Sequence, residues 1–199
     1  MEQLKPFLEF LRKFVQLSDE EFEQLLLPVI TIRKFPKKNI VIKAGEVENH
    51  FNFILQGIAR KYFKKGKEEI NTQISFEGQI LHAQESFHSR TASEYFIETI
   101  EPTTFASISY KDMENLYTFS HKIERLSRLV ITHAMVSKDN FQMKMIKLTP
   151  RERFIDFVIR NPELMQRVPQ KLLASFLNIK PETFSRFKHL VKGHSKERS

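Results

Sequence analysis

The spacing of apolar positions changes along the chain, and each change marks a new kind of element. Between Glu2 and Val15 apolar residues recur at Leu4, Phe7, Leu8, Leu11 and Val15, the spacing of one helix face. Ser18 followed by Glu21 reads as a capping box that opens a second helix, which carries Phe22, Leu25 and Leu26 and ends at Pro28. From Ile30 to Ile108 the apolar runs become short, β-branched and aromatic, as in Ile40-Val41-Ile42, Phe51-Asn52-Phe53-Ile54-Leu55 and Phe96-Ile97. Gly stands at 45, 57, 66 and 78, spacings that suit antiparallel strands joined by turns of positive φ. Lys64-Lys65-Gly66-Lys67 is the clearest hairpin turn. This region predicts a small antiparallel β-roll.

Gly and Pro then vanish from Lys111 to Lys147, and apolar residues recur at Ile123, Leu126, Leu129, Val130, Val136 and Met143. One long amphipathic helix is expected, either alone or behind a short turn, with its pairing part from about Ser120 to Ile146. Its stripe must be hidden, either against its own β-roll or against a twin in a dimer. Ile123, Leu126, Val130, His133, Val136 and Asn140 form the expected dimer seam, with His133 and Asn140 either setting register or lying at an exposed edge.

The remainder, from Leu148, predicts short helices. Arg151 to Arg160 presents Phe154, Ile155, Phe157 and Val158 before Asn161-Pro162 breaks it. Gln170 to His189 then fits a twenty-residue helix-turn-helix. Small Ala174 sits where the second helix crosses, and Asn178 sits in the turn, where left-handed backbone is needed. Leu173, Leu177, Ile179, Phe184 and Phe187 pack the two helices, and Pro169 and Pro181 fall just inside the helix starts. A plain αα-hairpin would satisfy the apolar positions, but not Ala174, Asn178 and both prolines as well. On the second helix, Pro181, Glu182, Ser185, Arg186 and His189 are placed to read base edges. Arg186 suits guanine, and Glu182 suits a cytosine amino group or simply the helix N-terminus. Lys171, Lys180, Thr183, Lys188 and Lys192 are candidate phosphate contacts, or ordinary solvated residues.

Charge sharpens this division. Residues 148–199 hold 11 Lys+Arg against 5 Asp+Glu, whereas the preceding 147 residues hold 21 against 19, so most of the net +8 lies at the C-terminal end. A basic unit of this kind suits DNA, or a solubilising surface. With no Cys in 199 residues, disulfides, thiolate zinc sites and iron–sulfur clusters are excluded. No apolar run reaches the length of a membrane span and no secretory signal opens the chain, so a cytoplasmic protein is expected.

The order of β-roll, long helix and helix-turn-helix resembles the Crp/Fnr superfamily of bacterial regulators. The resemblance is carried by Gly45-Glu46, by Phe51-Asn52-Phe53-Ile54-Leu55-Gln56-Gly57, by Ile108-Ser109-Tyr110 and by Pro181-Glu182-Thr183-Phe184-Ser185-Arg186. It implies an α+β chain with three parts. A cyclic-nucleotide-binding-like jelly roll with N-terminal helices spans 1–110, a dimerisation helix 111–147, and a winged-helix-like DNA domain 148–199. It also implies that Glu182 and Arg186 read the operator, with Pro181 standing where an Arg often does. The chain stops soon after Leu190, so any wing is short or absent.

In family members that bind cyclic AMP, a Gly-Glu pair and an Arg-Ser pair hold ribose and phosphate. The matching positions here are His82-Ala83 and Ser93-Glu94, with Arg90 nearby, so a degenerate effector pocket unlikely to hold cyclic AMP is expected. His82, Glu85 and His88 form a His-x-x-Glu-x-x-His string, but its spacing is not that of a zinc protease helix and no metal is expected. There is no glycine-rich phosphate loop and no catalytic triad, so neither an enzyme nor a cofactor is expected. The implied partners are double-stranded DNA, a second copy of the chain, RNA polymerase and a small effector of unknown identity. The alternative is a sensor or interaction module whose DNA domain is vestigial.

Overall fold

A computed structural model describes residues 1–196, with side chains through Lys188. Helix α1 spans Lys5–Arg12 and buries Phe7, Leu8 and Leu11. Helix α2, Asp19–Glu21, opens on the expected capping box: Ser18 Oγ accepts from the Glu21 amide at 3.1 Å, and Glu21 accepts from the Ser18 amide at 2.9 Å. It then loosens into a π turn over Phe22–Leu26 and tightens into a 3-10 turn over Leu27–Val29. Pro28 therefore lies inside the last turn rather than beyond it, because its missing N–H costs nothing at a helical first turn.

Seven strands follow: β1 Ile30–Phe35, β2 Ile40–Ile42, β3 His50–Gln56, β4 Ala59–Lys65, β5 Glu68–Ser75, β6 Phe96–Thr99 and β7 Thr103–Ser109. They form two antiparallel sheets, ordered β1-β7-β3 and β2-β6-β4-β5. Strand periodicity explains how one sheet serves two cores. Ile54 of β3 and Phe105 of β7 point between the sheets, where they meet Ile42, Ala59 and Ile97. Their neighbours Phe53 and Ala106 point the other way, onto α1 and the helices that follow the roll.

The stretch expected as one long helix, alone or behind a short turn, is two helices, and the second starts where the pairing part was expected. Helix α4 spans Tyr110–Phe119 and α5 spans His121–Lys147, separated by Ser120 at φ −142° and ψ 100°. Ser120 ends the first helix and its Oγ accepts from the Ile123 amide at 3.3 Å, capping the second. The two then fold against each other, and Met113, Leu116, Ile123, Leu126 and Val130 join the α1 core. A short helix α3, Gln84–Ser89, lies between β5 and β6.

The C-terminal unit is helical throughout its described residues. Helix α6 spans Pro150–Arg160 behind a second capping box, Thr149 with Glu152. Helices α7 Leu164–Arg167, α8 Gln170–Phe176 and α9 Pro181–Lys196 complete it. This unit shares a core with the roll, since Ile58, Ile74 and Ile100 pack with Phe154, Phe157, Leu164, Leu173 and Phe184.

Gly57 makes the β3–β4 turn at φ +97°, and a Cβ there would run into Pro102 O and Thr103. Gly66 also has positive φ, +62°, but open space around it. Urea titration should therefore show Gly57→Ala losing at least about 2 kcal/mol, and Gly66→Ala only about 1 kcal/mol.

Candidate nucleic-acid interface and sensor pocket

Helices α8 and α9 meet as the sequence requires of a helix-turn-helix. Ala174 is fully buried at the crossing, and Asn178 turns the chain at φ 51°. Leu173, Leu177, Ile179 and Phe184 are buried, and Phe184 stands edge-on to Phe154 with ring centroids 5.0 Å apart. Pro181 is the first residue of α9. Pro169, expected inside α8, is instead its N-cap at ψ 133°, an extended conformation that proline adopts readily. The turn is held from behind. Arg153 donates to the Asn178 carbonyl at 3.1 Å and to the Met145 carbonyl at 2.7 Å, which ties it to the end of α5.

Pro181, Glu182, Ser185 and Arg186 are exposed together on the first turns of α9. Among the described residues, neither Glu182 nor Arg186 spends its side chain on a hydrogen bond or ion pair. Lys171 and Lys180 are exposed, while Thr183 and Lys188 are half-buried. The side chains of His189 and Lys192 lie outside the described residues. The opposite face of the unit sits on the roll. The Asn71 amide donates to Ser175 Oγ at 3.0 Å, Ser175 Oγ donates to the Glu69 carbonyl at 3.1 Å, and Asn71 Nδ2 reaches the Leu172 carbonyl at 3.3 Å. Arg167 forks onto Glu77 at 2.7 and 3.0 Å and also bonds Glu101. Burial raises the Glu77 carboxyl, but hydrogen bonds from Arg167 and the Gly57 amide outweigh it and leave Glu77 more acidic than usual.

In the roll, the expected pocket residues do not converge as a phosphate cradle. Ala83 is buried in the inter-sheet core. Arg90 occupies the left-handed C-cap of α3 at φ 58°, bonds the Glu48 and Phe87 carbonyls and Asn49, and stacks 3.9 Å over the Tyr110 ring. Its guanidinium is held there by these contacts. Ser93 is buried, and its Oγ donates to Glu85 at 3.1 Å, while Glu94 is exposed. His82, Glu85 and His88 are not gathered around a common point. Glu85 faces Ser93, while His82 packs among Phe51, Phe87 and His88. No group of three or more ligating side chains is placed to hold a metal among the described residues.

Sequence reasoning missed Lys61 and Glu48. Lys61 is a buried cation on β4 with its ammonium 5.1 Å from the Tyr95 ring, and burial pushes its pKa below the usual lysine value. Glu48 is a buried carboxylate accepting from the His50 and Ala83 amides at 3.0 and 3.3 Å, and burial raises its pKa. The alternation of β4 was the available signal, since it places Lys61 on the same side of the strand as Ala59.

Helix α5 divides its faces differently from expectation. Ile123, Leu126 and Val130 are buried in the chain's own core, and His133 is exposed with its ring edge-on to Phe14 at 5.4 Å. The N-terminal helices cover that stripe, so those three are not offered to a partner. Val136 and Asn140 are exposed, along with Met135, Met143 and Ile146.

Residues 32–118 match the cyclic nucleotide-binding domain family. No curated protein sequence matches the chain. Solved structures match it nearly end to end. The c-di-GMP-responsive global regulator CLP of Xanthomonas campestris has a TM-score of 0.69 at 14% identity, covering 89% of this chain and 93% of its own. FixK2 of Bradyrhizobium japonicum has a TM-score of 0.70 at 14% identity, covering 84% and 86%. The catabolite activator protein of Thermus thermophilus has a TM-score of 0.56 at 15% identity, covering 92% and 87%. The resemblance to Crp/Fnr regulators thus holds for the fold across both parts of the chain. No helix among the described residues is long and apolar enough to cross a membrane.

His82 gives the roll a measurable acid sensitivity. Both ring nitrogens are buried without partners, and burial pushes its pKa down to about 3, with Lys61 and His88 adding to the shift. A depressed folded pKa means that the neutral ring's contribution is fully present above the unfolded value of about 6.5 and is lost as pH falls toward the folded value. Between pH 7 and 5 this costs about 2 kcal/mol. Urea midpoints should fall more steeply over that range in the unaltered chain than in His82→Phe.

Proposed function

We propose that the chain is a sequence-specific DNA-binding transcription regulator that acts as a homodimer on an inverted repeat. The observation that carries this reading is the uncommitted row Pro181, Glu182, Ser185 and Arg186, exposed on the opening turns of α9 directly after the left-handed Asn178. A helix presented in this way enters the major groove with its N-terminal residues toward the base edges. Arg186 pairs with guanine O6 and N7, Glu182 accepts from a cytosine amino group, and Lys171 and Lys180 hold phosphates. The regulators of similar fold support this assignment.

Dimerisation is supported by the exposed side of α5. Leu129, Thr132, Val136, Asp139, Met143 and Ile146 fall at alternating spacings of three and four, the seam of a two-stranded coiled coil. This stripe is rotated from the one the sequence suggested, because the earlier apolar positions are already occupied by the chain's own core. Val136, Met143 and Ile146 are 55%, 44% and 73% exposed and share this one stripe.

The roll does not hold cyclic AMP on this reading. Arg90 is turned into the Tyr110 stack, Ala83 offers no carboxylate to a ribose, and Lys61, the buried cation, lies in the field of Glu85.

Selection from a random DNA pool with purified protein should recover an inverted repeat whose half-sites lie about ten base pairs apart. Arg186→Ala should cost about 1 to 3 kcal/mol and relax specificity at its base pair, whereas Lys180→Ala should weaken all sequences alike and flatten the salt dependence. Weak binding without a motif, unchanged by Arg186→Ala, would leave only a generic polyanion surface. Val136→Glu should convert a dimer to a folded monomer in sedimentation equilibrium, because it places like charges opposite one another in the seam.

A further inference from the structure

Between the roll, the end of α5 and the C-terminal unit lies a groove of about 230 Å³. It is separate from the interior of the roll. Its walls are aromatic: Phe76 follows β5, Phe141 comes from α5, Phe157 from α6 and Phe176 from α8. Phe141 and Phe176 lie nearly parallel, with ring centroids 4.9 Å apart. The charged residues at the groove do not balance. Lys144, Arg153 and Arg160 line it against a single carboxylate, Asp156. Asp156 is shared between Lys144 at 2.9 Å and Arg160 at 2.7 Å. Arg153 has no carboxylate partner among the described residues. Its terminal nitrogens rest on two neutral backbone carbonyls, so its charge is not neutralised there.

A guanidinium surrounded only by neutral acceptors, beside flat apolar walls, selects for a ligand that is both anionic and apolar. We propose that this groove is a binding site for a small organic carboxylate with a ring-sized apolar body. The ring lies among Phe76, Phe157 and Phe176, and the carboxylate faces the Arg153 and Lys144 side. An occupant would touch the roll, α5 and the helix-turn-helix at once. Its binding does not depend on whether α9 reads DNA.

The test is calorimetry on the unmodified full chain with phenylacetate, 3-phenylpropionate and 4-phenylbutyrate, alongside the alcohols of the same carbon skeletons. At least one acid should bind saturably below about 5 mM, and its alcohol about tenfold more weakly or worse. Arg153→Gln should weaken the acid about tenfold, Arg153→Lys should retain it, and Lys61→Gln in the roll should leave it unchanged. The chain has no Trp, so Phe76→Trp supplies a single tryptophan in the groove wall whose emission, excited beyond the tyrosine band, should respond to the same titration. The proposal is overturned by failure of all three acids, by equal binding of acid and alcohol, or by loss of binding in Lys61→Gln with Arg153→Gln unaffected. Melting curves of each variant separate a lost site from a lost fold.

Discussion

The position of the helix-turn-helix depends on an apolar seam that belongs to neither part of the chain alone. A helical unit of about fifty residues is near the lower limit for a core of its own. Here it completes that core with Ile58, Ile74 and Ile100 from the roll. Each fully buried Ile contributes about 2 kcal/mol, a large share of the stability of so small a unit. The consequence is orientation. With α8 packed on β5, α9 must turn its Glu182 and Arg186 face outward.

The polar contacts around the seam act on angle more than on stability. Arg167 is part-exposed, so its pairing with Glu77 and Glu101 contributes modestly. Its fork geometry nevertheless fixes the end of α7 against the turn at Gly57, whose amide also bonds Glu77 at 2.7 Å. The part-buried bonds from Asn71 to Ser175 and Leu172 matter in a different way. Separating the surfaces without admitting water would leave Asn71 unsatisfied in an apolar setting, which opposes partial sliding of the two parts. Seam and clasp together favour one docked position over a continuum.

What could be read from the sequence follows from how local each constraint is. Asn178 and Ala174 were legible because a turn needing positive φ and a close helix crossing each admit few residue types. The capping box at Ser18 and Glu21 was legible for the same reason. The break at Ser120 was legible only in part: a run without Gly or Pro looks continuous, and the pattern went no further than a short turn ahead of a helix starting near Ser120. The only signal was a good capping residue in mid-run, with Glu124 in the first turn after it. Which stripe of α5 would be buried was also beyond the local pattern. Ile123, Leu126 and Val130 are spaced correctly for either a partner or the α1 core, and only the position of the N-terminal helices decides. Arg90 escaped for a related reason. Its left-handed cap turns the side chain onto Tyr110, and nothing in a Ser-Arg-Thr stretch announces a C-cap.

Helix α5 joins these parts, and its two ends are held by different kinds of contact. Its N-terminal half is buried against α1 and α4 through Ile123, Leu126 and Val130. Among the described residues, its C-terminal half touches the helix-turn-helix unit through the Phe141–Phe176 stack, the Lys144–Asp156 pair and the Arg153 bond to the Met145 carbonyl. Each of those points is individually worth about 1 kcal/mol, whereas withdrawing three buried aliphatic side chains costs several times as much. Of the contacts along α5, those at its C-terminal end therefore give way first, while the start of the helix stays fixed to the roll. Coiled-coil pairing along the exposed stripe at Val136, Met143 and Ile146 would stiffen the same half of the helix. In a dimer, the contacts around Phe141 and Arg153 thus become the weakest link between α5 and the unit that carries α9.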